Sequence, residues 1–239
     1  MNYFYVPQLT PKHEFVMMPE EEARHALKVL RMKMSDPIVL LDGNGGKYTG
    51  IIYGIEQKRC EVRIDRYELQ ERPTPHRIHL GVSPTKNSDR MELLVEKAIE
   101  IGVSEISFLQ TQRSERRALK LDRVKKIAVA AMKQSGNLYL PKINSLQLFR
   151  EFVGKVEEQG KYLAYVPAPT TDSLVKAVVP ADACLLVGAE GGFTEEEAEL
   201  AQERGFKPVS LSSYRLRTET AGMIGVHTLQ LALASLPQE

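Results

Sequence analysis

Hydrophobic positions along this chain change their period once, near residue 76. Before that point the repeats are short. Cys60, Val62 and Ile64 alternate with Glu61, Arg63 and Asp65, the two-residue period of a strand with one buried face. Pro37–Asp42 and Lys47–Ile55 are two further apolar runs, and the turn-forming Asp42-Gly43-Asn44-Gly45-Gly46 between them predicts a hairpin. One segment is helical in period. Pro19 with Glu20, Glu21 and Glu22 suits a helix start, Ala23, Ala26, Leu27, Leu30 and Met34 recur on one face, and Arg24, Lys28 and Arg31 recur on another. Short strands around one helix predict a small β-barrel for residues 1–70. Pro73 and Pro75 within 71–76 block further strand pairing and mark a linker.

From Arg77 onward, strand-like and helix-like segments alternate. The strands fall at Ile78–Val82, Glu105–Leu109, Tyr162–Val166, Cys184–Val187 and Pro208–Leu211; the helices at 88–101, 120–135, 145–159, 172–178, 194–204 and 219–235. This alternation predicts an α/β domain over 77–239 with a mainly parallel sheet. Helix 88–101 is well defined: Met91, Leu94, Val95, Ala98 and Ile101 share a face, and Gly102 stands at the C-cap. The last helix is apolar nearly all round, with Gly222 and Gly225 permitting close approach, as expected of a helix covered on two sides.

Composition narrows the class. The 239 residues are 43% hydrophobic and 26% charged, ordinary for a globular protein. No run approaches the roughly 18 apolar residues of a membrane span, and Met1–Phe4 does not open a basic-then-apolar leader, so neither a membrane nor a secreted protein is expected. Cys60 and Cys184 are isolated, which argues against a disulfide scaffold or a standard zinc or iron–sulfur site and for a reducing cytoplasm. The formal charge of +1 hides an uneven distribution: residues 1–72 sum to 0, 73–137 to +5 and 138–239 to −4. Within 113–126, Arg113, Arg116, Arg117, Lys120, Arg123, Lys125 and Lys126 face only Glu115 and Asp122. Such a run is either a polyanion-binding surface or a solvated face.

Two loops carry candidate chemistry. In Leu185–Glu197 an apolar strand enters Gly188-Ala189-Glu190-Gly191-Gly192, and Thr194 with Glu197 forms a capping box that starts a helix. A glycine turn of this kind either brings backbone amides to a ligand or is a structural turn. Glu190, Glu195, Glu196 and Glu197 make it hostile to phosphate, and neither a Walker sequence nor a spaced GxGxxG is present. S-adenosylmethionine, cationic and phosphate-free, suits such a loop. The second loop, Arg215-Leu216-Arg217-Thr218-Glu219-Thr220, is dense in hydrogen-bonding groups that need a ligand or one another. The five histidines show no metal-binding spacing and no visible nucleophile partner, so no metal site is expected.

These residues together resemble a known family, the RsmE-type 16S ribosomal RNA uridine-N3 methyltransferases of the SPOUT superfamily. The resemblance runs through His25–Arg31, Thr85–Glu92, Glu96–Val103, Arg113–Arg116, Met132–Ser135 and Pro141, and ends in Gly188–Phe193 and Leu216–Ala221, which are similar to GPEGGF and LRTETA motifs. Ala189 replaces the usual proline, Ser212 a frequent glycine, and Asn137 a common arginine. The resemblance implies a PUA-like RNA-binding barrel followed by a SPOUT α/β trefoil-knot methyltransferase domain, usually homodimeric. Topology rules alone predict an unknotted doubly wound sheet. It further implies that Val166, Val187, Gly188, Glu190, Gly191, Gly192, Leu211, Ser212, Leu216, Arg217, Thr218 and Thr220 hold the cofactor, with Val187, Leu211 and Leu216 on its adenine. Arg24, His25, Lys28, Arg31, Lys86, Arg90, Arg113, Arg116, Arg117, Lys133 and Gln134 are expected to bind RNA, the small-subunit ribosomal RNA within the 30S particle.

The expected reaction methylates uridine N3 from S-adenosylmethionine. Arg113 is the expected stabiliser of the uridine anion, and Glu190 the alternative as base. Rival readings are a non-catalytic RNA-binding or ribosome-assembly factor, or a SPOUT enzyme acting on tRNA or a ribose 2′-oxygen.

Overall fold

A computed structural model describes residues 2–72, 76–167, 172–177 and 179–234. The chain divides into two compact units, Met1–Pro73 with Met132–Leu140, and Thr74–Ala131 with Pro141–Glu239. The linker prolines at 73 and 75 lie outside the described residues.

The first unit is a five-stranded sheet of β1 (Tyr3–Tyr5), β2 (Phe15–Met17), β3 (Pro37–Leu41), β4 (Gly46–Glu56) and β5 (Arg59–Leu69), ordered β1-β3-β4-β5-β2. β1 runs parallel to β3 and the remaining pairs are antiparallel. The β5 alternation puts Cys60 and Val62 into a core with Phe4, Leu40, Tyr48 and Ile52, and leaves Arg63 outside. In the β3–β4 turn Asp42 Oδ1 accepts from the amides of Asn44 (2.7 Å) and Gly46 (2.9 Å), and Tyr48 donates to Oδ2. β1 and β2 are absent from the sequence-based reading because three residues are too few to show a period.

Two expectations here need correction. Helical spacing predicts a helix reaching Met34, but α1 (Glu20–Arg24) widens into a π-helical turn over His25–Val29 and stops at Leu30. Arg31 lies beyond it in the left-handed region (φ 56°), so it does not continue the Arg24–Lys28 face. The π turn closes on the bond from Leu30 N to His25 O, which alters the angular step that the 3.6-residue count assumes. Residues 132–140, assigned by periodicity to the second domain, pack with the first unit. Met132 and Leu138 are buried with Leu41 beside Tyr3, Tyr5 and Leu140, and Tyr139 Oη donates to Gln70 O.

The second unit is a fully parallel six-stranded sheet, β6 (Arg77–Val82), β7 (Glu105–Gln110), β8 (Lys142–Leu148), β9 (Gly160–Ala164), β10 (Asp182–Val187) and β11 (Lys207–Val209), ordered β11-β9-β10-β6-β7-β8. Its helices are α2 (Ser88–Ile101), α3 (Leu121–Ser135, counted with this unit as far as Ala131), α4 (Phe149–Val153), α5 (Glu195–Glu203) and α6 (Thr218–Ala234). The expected helix 145–159 is in fact β8 followed by the short α4; the Phe149, Phe152 and Val153 spacing that buries α4 suggests a longer helix than forms. Segment 172–178 holds one 3₁₀ turn, Leu174–Lys176, and its Val178 lies outside the described residues, as does Ser235. α6 lies directly on α2 and β10: a Cβ on Gly222 would sit 2.6 Å from Leu94 Cδ1, and one on Gly225 would collide with Leu185. Among the described residues no helix is long and apolar enough to cross a membrane.

The chain builds β6, β7 and β8 outward in one direction, then places β10, β9 and β11 on the other side of β6. The carboxyl ends of strands beside such a reversal form a crevice.

Candidate active site

A cavity of about 580 Å3 opens at the carboxyl ends of β9, β10 and β11. Its walls include Val166, Val187, Gly188, Glu190, Gly191, Gly192, Leu211, Ser212, Leu216, Thr218 and Arg113, so four segments distant in sequence converge there. Arg217 and Thr220 do not line it. The cause is helical: Thr218 and Ala221 face the cavity, whereas Thr220 is turned by about 100° from Ala221 and Arg217 precedes α6 on the exposed side. Tyr165, Tyr214 and Arg215 also line the cavity, and no periodicity marks them in the sequence.

The glycine loop is a tight turn closed by Gly192 N donating to Ala189 O at 2.8 Å. A Cβ on Gly188 would fall 2.9 Å from the carbonyl carbon of Gly192, and Gly192 itself sits at φ 69°. Neighbouring groups fix the loop's carbonyls. Arg113 donates through Nη1 to Gly191 O (2.8 Å) and Phe193 O (3.0 Å), Arg215 donates to Glu190 O (3.2 Å), and Thr218 Oγ1 donates to Gly188 O (3.0 Å). Glu190 Oε1 accepts from Lys86 N at 3.0 Å. The capping box of α5 forms between Thr194 and Glu197, and the buried Glu197 has a second task that sequence spacing does not reveal: Oε1 accepts from Gln112 N at 2.8 Å, pinning the segment that carries Arg113. Ser212, where glycine is frequent in the resembling family, supplies turn bonds instead: Oγ accepts from Tyr214 N, and its carbonyl accepts from Ser210 Oγ.

The cationic residues divide between the units. In the first, Arg24 at the end of α1 and His25 and Lys28 in the π-helical turn are exposed, Gln134 is exposed, and Lys133 is engaged with the buried Glu22 at 2.7 Å. In the second, Lys86 pairs with Glu115, Arg90 approaches Glu219 at 3.6 Å, and Arg116 and Arg117 lie in a non-helical loop. The 113–126 run is thus a loop leading into α3, and Arg123 within it is paired bidentately with Glu92.

A second polar group lies at the amino ends of the strands. His79 bonds Glu158 through Nδ1 (2.6 Å) and Ser107 through Nε2 (2.9 Å), Asn144 donates to Ser107 and Glu105, and Lys142 pairs with Glu105. Burial opposes ionisation of Glu105 and Glu158, but the bonds from Lys142 and Asn144 to one and from His79 and backbone amides to the other outweigh it and hold both carboxyls below their ordinary range. Burial pushes the Cys60 thiol up to about 11 and that of Cys184 well above its usual value, so neither is a thiolate near neutrality.

A parallel sheet with a glycine-walled cavity at its reversal point, joined to a small β unit, defines a two-domain cofactor-using enzyme class, and the chain belongs to the RNA methyltransferase domain family, whose profile matches residues 72–230. Residues 19–65 match the RNA methyltransferase PUA domain. The chain is similar to a ribosomal RNA small subunit methyltransferase E from Neisseria gonorrhoeae whose crystal structure has S-adenosylmethionine bound, at 31% identity and TM-score 0.88 over 97% of each chain. It is also similar to a "probable rRNA-methyltransferase" from Porphyromonas gingivalis, at 36% identity and TM-score 0.87 over 97% of this chain and 99% of that one. A ribosomal RNA small subunit methyltransferase E from Buchnera aphidicola is 26% identical over 232 residues, 95% of this chain and 91% of its own length.

Proposed function

We propose that this protein transfers the methyl group of S-adenosylmethionine to N3 of a uridine in 16S ribosomal RNA, acting as a cytoplasmic homodimer on the assembled small subunit. The observation that carries the reading is the cavity at the glycine loop. Its size suits an adenosine-bearing ligand. Gly192 has open space where a side chain would stand, Val187, Leu211 and Leu216 offer apolar wall for the adenine, and Glu190 and Glu195 stand at the rim where a cationic sulfonium is favoured over a phosphate. Bound there, S-adenosylmethionine supplies an already activated methyl group.

The protein's own work is alignment and charge. Uridine N3 is protonated at neutral pH, and the neutral imide is a poor nucleophile, so the site must favour the anion. Arg113 is the residue that stabilises it: its Nη1 is spent on the loop carbonyls, which fixes the guanidinium at the cavity wall, and other N–H groups remain to face an oxygen of the base. Exposed Arg24, His25 and Lys28 in the first unit, and exposed Arg117 with half-buried Arg116 in the second, supply phosphate contacts. Support for the dimer is the side of α6 bearing Ile224 and Leu231, apolar and exposed at 38% and 59%.

The test is to supply labelled S-adenosylmethionine with small subunits, naked small-subunit RNA and tRNA separately. Transfer is expected to the small-subunit substrates and not to tRNA; transfer to tRNA alone would refute the assignment.

A further inference from the structure

We propose that Tyr214 is the stacking platform for the base that receives the methyl group, with Arg217 meeting the adjoining phosphate. This rests on the reading above and names a residue of the RNA side of the same site.

Tyr214 lines the mouth of the cavity and is 84% exposed, the most exposed large hydrophobic residue among those described. Aromatic rings ordinarily contribute to stability by being covered, so a ring left in water beside a cofactor cavity calls for a partner. Its backbone, by contrast, is fixed. Tyr214 N donates to Ser212 Oγ at 3.1 Å, Ser212 O accepts from Ser210 Oγ at 3.1 Å, and the next residue, Arg215, is tied to Glu190 O. The ring is therefore presented on a rigid mount, which lowers the entropic cost of using it.

Its neighbours add charge. Arg215 and Arg217 are both exposed, and the Arg217 side chain makes no hydrogen bond or ion pair among the described residues. An exposed ring with arginines close by in the chain is how proteins hold single-stranded nucleic acid, with the aromatic on a base face and the cations on the backbone. This also suits the chemistry. A stack grips the base by its flat faces and leaves the edge bearing N3 free to meet the donor, whereas a clamp of hydrogen bonds on that edge would block the reacting atom.

The chain contains no tryptophan, so Tyr214→Trp introduces a single tryptophan whose emission can be excited apart from the tyrosines. Titration with unmethylated small-subunit RNA, with S-adenosylhomocysteine present, should quench its emission saturably. In steady-state methylation, Tyr214→Ala should lose roughly tenfold to hundredfold in kcat/KM for RNA, the range of one base–aromatic stack. Its dissociation constant for S-adenosylmethionine should match the wild type, and Tyr214→Phe should recover most of the loss. Weakened cofactor affinity with unchanged kcat/KM for RNA would overturn the proposal and give the ring to the cofactor. Tryptophan emission shielded without RNA and dependent on protein concentration would overturn it too, placing the ring between two copies of the chain. If the wild type transfers methyl groups and Tyr214→Ala does so equally well, the stacking role fails alone; if the wild type transfers none, the functional reading fails with it.

Discussion

Replacing Glu197 by glutamine separates its capping role from its role in holding the active-site segments together. The carboxylate is 6% exposed and divides its oxygens between Thr194 N at 3.0 Å and Gln112 N at 2.8 Å. Glutamine keeps one acceptor, so one of these amides must face an NH2 group in a buried place. A hydrogen bond to a charged group contributes about 1.5–3 kcal/mol, and an unsatisfied buried amide costs about 1–3 kcal/mol. Because the two effects overlap, the expected loss is about 2–4 kcal/mol. At roughly 2–4 °C per kcal/mol for a chain of this size, the melting temperature should fall by about 5–15 °C. The change should reach the site as well, since Gln112 precedes Arg113 and Arg113 holds Gly191 O and Phe193 O. Thermal melts with and without S-adenosylmethionine, paired with calorimetry, read both effects. A variant that melts within about 2 °C of the wild type and binds the cofactor equally would show that Glu197 joins nothing of consequence.

Gly188→Ala should weaken S-adenosylmethionine binding by roughly tenfold or more, because the added methyl meets the backbone of Gly192 and not a movable side chain, at a strain of about 1–3 kcal/mol; unchanged affinity by calorimetry would contradict the tight-turn account. Glu105 and Glu158 have depressed folded-state pKa values, so their contribution is present above the ordinary carboxylate pKa of about 4.3 and is lost as pH falls through their folded values. Acid unfolding followed by circular dichroism should therefore show stability falling below about pH 4.3, with a shallower fall in Glu158→Gln. Reversing the charges of Arg24, Lys28 and Arg31 together should weaken RNA binding and flatten its salt dependence by up to roughly 0.9 in log–log slope per lost phosphate contact. Arg31, lying off the helix, should contribute apart from the other two in single reversals.

The elements legible in the sequence are those whose cause is local. Helix α2 can be delimited from its apolar face and from Gly102, which takes φ 109° at the C-cap, and the 42–46 turn from an Asp that bonds amides two and four residues on. The glycine loop stands out because strand, turn and capping box adjoin. What escapes is long-range. Strand β8 shows little alternation because its side chains are exposed or only half-buried, and 132–140 joins the first unit through Leu41, Tyr3 and Tyr5, far away in the chain. His79 stands isolated in sequence, because its partners Ser107 and Glu158 lie 28 and 79 residues further on. The resemblance puts Arg217 against the cofactor, but it precedes α6 on the exposed side and does not line the cavity, whereas the next residue, Thr218, does. The π-helical turn at 25–29 has no sequence signature that spacing can detect.

The measurement that bears most directly on the account is the identity of the methylated nucleoside. Unmethylated small subunits are incubated with the protein and methyl-labelled S-adenosylmethionine, and the RNA is then digested to nucleosides and resolved by mass spectrometry. The account predicts 3-methyluridine at a single position, approaching one per subunit, and strongly reduced product with Arg113→Ala at neutral pH that partly recovers as rising pH deprotonates the uridine. Label in 5-methyluridine or in a 2′-O-methylated nucleoside, or no transfer by a protein that binds the cofactor, would contradict it.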